Sequence, residues 1–259
     1  MKKIIFLIPL LILCQSAYAD VIIENDQKYT DEDGLLHIVG EIKNNSTVPL
    51  NQIQISATLI DSNGNKIGEI VNHMISNTIM PGMNAGFDIL IQNVNSEIID
   101  NYEVVFDYNL TNPKNQVIEI TSPTLTKDAY NNTIITGVLE NNGDITANMI
   151  KVMATLYDRN GNVVTISEIH VKPDFLRAGE SSTFLIPFHE KSQSINAIDY
   201  SITAESDEFV TVPEFPLGTG ILLIVSVSSY ILFSRNPQKM INTVSRIKNA
   251  KKILRHKHG

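Results

Sequence analysis

The feature that most constrains this chain is a repeat. Met153-Ala154-Thr155-Leu156-Tyr157-Asp158-Arg159-Asn160-Gly161-Asn162-Val163-Val164 restates Ser56-Ala57-Thr58-Leu59-Ile60-Asp61-Ser62-Asn63-Gly64-Asn65-Lys66-Ile67. In each stretch apolar and polar residues alternate, an Asn-Gly pair follows, and a second apolar run begins. That pattern is a strand, a tight turn and a strand. The correspondence reaches well past the hairpin. Gly40 aligns with Gly137, Asn44-Asn45 with Asn141-Asn142, Ile53 with Ile150, Gly82 with Gly179, Phe87 with Phe184 and Ile89 with Ile186. The offset is 97 positions in every pair (184 less 87, for example), without an insertion. A fixed offset of this kind means two copies of one domain, each of about a hundred residues, enough to bury a core of its own.

Between Val21 and about Asp207 no helix-period pattern stands out. Short alternating runs recur instead, among them His37–Ile42, Ile53–Ile60, Gly86–Ile91, Tyr102–Tyr108, Thr133–Leu139, Ile150–Tyr157, Ser182–Phe188 and Ile198–Thr203. Gly, Asn and Pro separate them. Regular short strands with such punctuation predict an all-β fold of two tandem immunoglobulin-like β-sandwiches, residues 20–112 and 113–208. The junction falls near Asn112–Thr126, where Pro113 and Pro123 interrupt strand pairing.

The motif Gly-x-(Val/Leu/Ile)-x-Asn-Asn, followed by Ala-Thr-Leu-Tyr-Asp-x-x-Gly and then a Gly turn and a Phe-containing strand, resembles the FxLYD family. Ala154–Asp158 with Gly161 carries it best; the first repeat has Ile60 where the family has Tyr. The family's leading aromatic is Met153 or Ala154 here. The resemblance covers most of Leu35–Thr203. It implies a small immunoglobulin-like extracellular sandwich on a prokaryotic surface protein, and it implies no particular ligand.

The ends of the chain speak to location. Lys2 and Lys3, the apolar run Ile4–Cys14 and Ala17-Tyr18-Ala19 compose a secretory signal peptide over residues 1–19, cut between Ala19 and Asp20. An uncleaved anchor and a lipoprotein site at Cys14 are the alternatives; Leu13 stands where a lipoprotein site needs a small residue. A chain starting at Asp20 has no cysteine, which excludes disulfides and thiolate chemistry. Residues 209–216 read as a linker. Leu217–Phe233 is uncharged and mostly apolar, and its 17 residues reach the short limit for a transmembrane helix. Pro213-Glu214-Phe215 before it resembles the PEF-type C-terminal sorting signals of archaeal surface proteins, with Pro216 where many relatives have Gly. That resemblance implies processing by an archaeosortase-like enzyme; permanent anchoring is the alternative.

Charge divides along the same line. Residues 20–214 hold all 28 acidic side chains against ten basic ones, a net of −18, while the stretch after residue 233 holds eight basic residues and no acid. Basic residues at the end of an apolar helix mark the cytoplasmic side, so residues 234–259 read as a cytoplasmic tail and the acidic repeats as extracellular. In the tail Met240, Ile241, Val244, Ile247, Ala250, Lys251 and Leu254 recur at helical spacing, which suits an amphipathic helix on anionic lipid, with a cytoplasmic partner or a plain solvated tail as the alternatives. The acidic region repels nucleic acid.

No nucleophile elbow, zinc-protease, phosphate-loop or dinucleotide motif occurs, so no catalytic residue and no cofactor is assigned. Asp61-x-Asn63-x-Asn65 and Asp158-x-Asn160-x-Asn162 open like a calcium loop. Gly64 and Gly161 fall at the fourth position rather than the sixth, and Asn72 and Ile169 stand where a bidentate Glu belongs. They read as hairpin turns, with weak calcium binding as the rival. His37, His73, His170 and His189 share no ligand spacing, and no metal site is assigned. Four N-x-(Ser/Thr) triplets stand at Asn44, Asn45, Asn109 and Asn131, candidate glycosylation sites in an exported chain. Taken together these features predict a non-enzymatic, membrane-anchored cell-surface protein, archaeal by its sorting motif. Its role is structural or adhesive, towards an envelope protein or a glycan. A divalent-cation or small-solute module and an accessory subunit of a membrane complex are the alternatives.

Overall fold

The computed structural model describes residues 20–212, except 75 and 93. The leader with Ala19, the motif Pro213-Glu214-Phe215, the apolar run 217–233 and the basic tail lie outside the described residues. Among the described residues no helix is long and apolar enough to cross a membrane. The chain is all-β over this range.

The first repeat contributes β1 (Val21–Thr30), β2 (Leu36–Asn44), β3 (Leu50–Ile60), β4 (Lys66–His73), β5 (Thr78–Ile79), β6 (Asn84–Ile91) and β7 (Asn101–Leu110). Strands β1-β2-β6 make one sheet; the other has β3 between β4 and β7, with β5 pairing the start of β3. Alternate residues of both sheets point inward: Leu36, Ile38 and Ile42 meet Ile53, Ile55, Ala57 and Leu59 in one apolar core.

The second repeat contributes β8 (Asn115–Lys127), β9 (Thr133–Asn141), β10 (Ala147–Asn148), β11 (Lys151–Tyr157), β12 (Val163–His170), β13 (Phe175–Leu176), β14 (Ser181–Pro187), a one-turn helix α1 (Lys191–Ser194), β15 (Asp199–Glu205) and β16 (Phe209–Thr211). It has its own core, with Ile135, Leu139, Val152, Leu156, Phe184, Ile186 and Ile202 at its centre. Here the two sheets join into one of seven strands, ordered β12-β11-β15-β16-β8-β9-β14.

The duplication extends to the backbone conformation of the turns and bulges. The ten described residues with left-handed φ form five pairs offset by 97: Asn25 and Ser122, Gly34 and Asn131, Gln52 and Met149, Gly64 and Gly161, Gly82 and Gly179. Gly40 and Gly137 match for a steric reason. A Cβ on either would lie 2.6 Å from Cζ of Phe87 or Phe184. The hairpins share one chemistry as well. Asp61 Oδ1 accepts from the Asn63 and Asn65 amides, and Asp158 Oδ1 from those of Asn160 and Asn162. Asp31 and Asp128, also 97 apart, accept from Asp33 with Leu35 and from Tyr130 with Asn132. The Asp-x-Asn-x-Asn runs thus close hairpins in both repeats.

Two boundaries differ from the sequence reading. The junction at 112–126 is mostly strand: β8 runs through Pro123, which sits in a bulge between Thr121 and Thr124 where the ladder needs no amide from it. Phe209–Thr211, assigned to the linker, is β16. It pairs antiparallel to β15 and parallel to β8, and at 1–3% exposure it closes that side of the second sandwich.

Candidate functional site

Two features of the surface depart from what packing alone requires: a seam between the sandwiches and a cleft on the first.

The seam forms where the outer face of β1-β2-β6 meets the outer face of β12-β11-β15. Tyr29, Val39 and Val163 are buried together, flanked by Tyr157 and Ile166. Gly86 sits opposite Thr155 and Ile166, and a Cβ there would lie 2.7 Å from Thr155 Oγ1. Polar contacts stitch the rest. Gln27 Nε2 donates to the Val163 carbonyl at 2.5 Å. The Tyr157 hydroxyl donates to Glu41 Oε1 at 2.5 Å, and Glu41 is 1% exposed. Burial pushes the Glu41 carboxyl above its usual range, against the hydrogen bond from Tyr157. Burial and the Glu41 charge likewise push the Tyr157 phenol up. At the far end Glu205 accepts from the Asn77 and Thr78 amides at 2.8 and 3.2 Å and lies 3.6 Å from Lys151 Nζ. At the near end His37 stacks on Tyr29 with ring centroids 4.9 Å apart, and its Nδ1 lies 2.8 Å from Asp88 Oδ1. Burial works to lower the His37 pKa, but the hydrogen bonds and charges of Asp88 and Asp31 outweigh it and hold it above the ordinary value.

Among the described residues the seam has no second instance. Where the second repeat presents Val163 and Ile166, the first presents Lys66 and Glu69, which pair with each other in solvent. The face of β3-β4-β7 is therefore a solvated one.

The cleft lies on this first sandwich, beside the bulge in β3. Register between β3 and β7 slips between Asn51 and Gln54, and Gln52 takes φ 49°. The slip opens a hollow of about 510 Å³, lined by Gln52, Gln54, Asn77, Asp107, Tyr108 and Asn109, with Ile53, His73, Met74 and Ser76 completing it. Asn109 Nδ2 donates to Gln52 Oε1 at 2.7 Å, which orients both amides. Phe106 and Tyr108 stack, centroids 6.0 Å apart.

The candidate glycosylation sites separate by burial. Asn44 is fully buried, and its amide donates to the Val48 and Ile79 carbonyls. Asn141 repeats this with the Ile145 and Leu176 carbonyls, so Asn44 is a fold-locking residue, closed to a glycan in the folded chain. Asn45 and Asn131 are exposed, the latter in a left-handed turn position. Asn109 is exposed and lines the cleft. Asp20 is exposed just ahead of β1. The histidines disperse: His37 to the seam, His73 to the cleft, His170 and His189 to separate exposed positions. Among the described residues no group of three or more His, Cys, Asp or Glu could hold a metal ion.

Sequence reasoning missed both the seam and the cleft. No local pattern announces a contact such as Glu41–Tyr157. The cleft did leave a signal, since the repeats share their bulge yet differ at Gln52 against Met149 and Gln54 against Lys151.

No family model matches this sequence, and no curated protein matches it. Solved structures that it resembles include the exo-chitosanase of Amycolatopsis orientalis, at 11% identity and TM-score 0.28 over 74% of this chain and 26% of that one. Another is red sea bream transglutaminase, at 8% identity and TM-score 0.23 over 74% of this chain and 32% of that one. Likeness at this level carries no inference about the activity of this chain.

Proposed function

We propose that this is a non-catalytic, membrane-anchored surface protein whose two immunoglobulin-like sandwiches form one stiff extracellular module for binding or display. The observation that carries this reading is the seam. A buried Tyr157–Glu41 pair, a close-packed Gly86 and the Glu205 clamp on the Asn77–Thr78 backbone fix the two repeats as one body. Such a body holds its loops and strand edges at a set spacing, which suits contact with an envelope protein or a glycan. Export and anchoring come from the leader, the apolar run 217–233, the basic tail and the resemblance to PEF-type signals. Glycans on Asn45 and Asn131 extend the polar surface.

Protease treatment of intact cells expressing the chain with a C-terminal tag tests the reading. Loss of the 20–212 region, with a tagged membrane fragment retained, is the expected result. A chain protected until the cells are broken overturns it.

A further inference from the structure

We propose that the bulge cleft of the first sandwich is a binding site for a neutral saccharide. The proposal rests on the surface reading above only for access to glycans; the chemistry stands on the cleft itself.

The lining supplies amides. Gln52, Gln54, Asn77 and Asn109 each offer a carbonyl acceptor and an NH₂ donor, and the Asp107 carboxylate adds acceptors. A sugar hydroxyl both donates and accepts, so alternating amide groups match it as a carboxylate or ammonium cluster cannot. No Lys or Arg stands among the described lining residues, which disfavours phosphate and other anions. Tyr108, half-buried against Phe106 and the core, borders the cleft with Ile53 and Met74, which add apolar surface beside the amides. The volume of about 510 Å³ is that of a small-molecule site.

The second repeat is an internal control. It keeps the bulge, with φ 53° at Met149, and keeps Ile150 and His170 where the first has Ile53 and His73. Its counterparts of Gln52, Gln54 and Asn77 are Met149, Lys151 and Asp174, and Asp107 corresponds in register to Glu205. That place is taken: Lys151 reaches Glu205, and the Asn77 and Thr78 amides of the first repeat cap the carboxylate. The fold therefore accommodates Met and Lys where the first repeat has amides. Packing does not require the amides, and on the first repeat the equivalent place is open.

The test uses the full chain in detergent, made in a host that leaves Asn109 unmodified. The probes are glucose, mannose and N-acetylglucosamine oligomers of two to six units, with their sulfated or uronic counterparts as charged controls. The comparison is Gln52→Met/Gln54→Lys, which installs residues the second repeat already tolerates. Saturable binding of a neutral oligomer, weakened tenfold or more in this variant at unchanged Tm, is the expected result. Binding of no neutral probe, equal binding by the variant, or preference for the charged controls overturns the proposal. Each of those outcomes leaves surface exposure, tested by proteolysis of cells, untouched.

Discussion

The Tyr157 hydroxyl and the Glu41 carboxylate meet at 2.5 Å across the seam, and each belongs to a different repeat. In its own sandwich Tyr157 ends β11 and also contacts Ser201 Oγ at 2.9 Å. The residue that makes the Leu-Tyr-Asp motif is thus one of those that join the repeats. Its counterpart Ile60 has no such task.

Tyr157→Phe removes the hydroxyl that donates to the buried Glu41 carboxyl across the seam. The Asn25 and Asn84 side chains still bond to Glu41, so the loss expected is that of one hydrogen bond to a charged group, about 1–3 kcal/mol, read by thermal or urea unfolding. Glu41→Gln removes the charge and keeps an acceptor. Because the Glu41 carboxyl is raised in the fold, its contribution is most favourable below the unfolded value of 4.5 and declines as pH rises through the folded pKa. Glu41→Gln should flatten that decline, and a Tm profile between pH 4 and 7 parallel to the wild type would refute the assignment.

His37 contributes with the same sign in a higher window. Its pKa is held above 6.5, so its stabilisation is complete below that value and is lost as pH rises through the folded pKa. The groups facing it are Asp31, Asp88, Tyr29 and, from the second repeat, Glu190. His37→Gln should remove a downward slope in Tm as pH rises above 6.5. Equal slopes in both proteins would mean that His37 does not change its proton there.

Gly86→Ala places a methyl group against Thr155 and Ile166 without touching either core. An overpacking cost of about 1–3 kcal/mol is expected, concentrated in the seam. Limited proteolysis should then cut near residues 111–114 faster than in the wild type, while near-ultraviolet and far-ultraviolet spectra stay unchanged. Cutting at the wild-type rate would show that the seam tolerates the methyl group.

Asn44→Ala and Asn141→Ala should cost similar amounts, about 1–3 kcal/mol each, because each strips the donors from two carbonyls at equivalent places. Peptide mass spectrometry of protein from its native source should find any glycan on the exposed Asn45, Asn109 or Asn131 and none on Asn44. A glycan on Asn44 in folded protein would contradict its burial.

Much of the fold was legible because the repeat states it twice. The offset of 97 matched Gly40 to Gly137 and Phe87 to Phe184, and the close approach of ring to backbone that the structure shows in each repeat explains why both residues recur. The Asn-Gly hairpins were legible from local turn chemistry. Strand β8 was not, because Pro123 reads as an interruption and only the bulge shows how a sheet absorbs it. Strand β16 was not, because three residues before a Pro-rich stretch carry no periodic signal.

By itself, then, the sequence determined the all-β character, the duplication and the turn positions, since these depend on alternation, glycine and short-range hydrogen bonds. It also set the charge contrast between the acidic repeats and the basic end. Only the tertiary structure decided that two repeats of one plan take different surroundings. Glu41 is buried because Tyr157 arrives from more than a hundred positions away, and Glu205 is capped by a loop of the other sandwich. The cleft at Gln52 stays open because the first repeat has no neighbour to fill it among the described residues. Those outcomes rest on contacts between segments distant in the chain, where no local pattern carries the information.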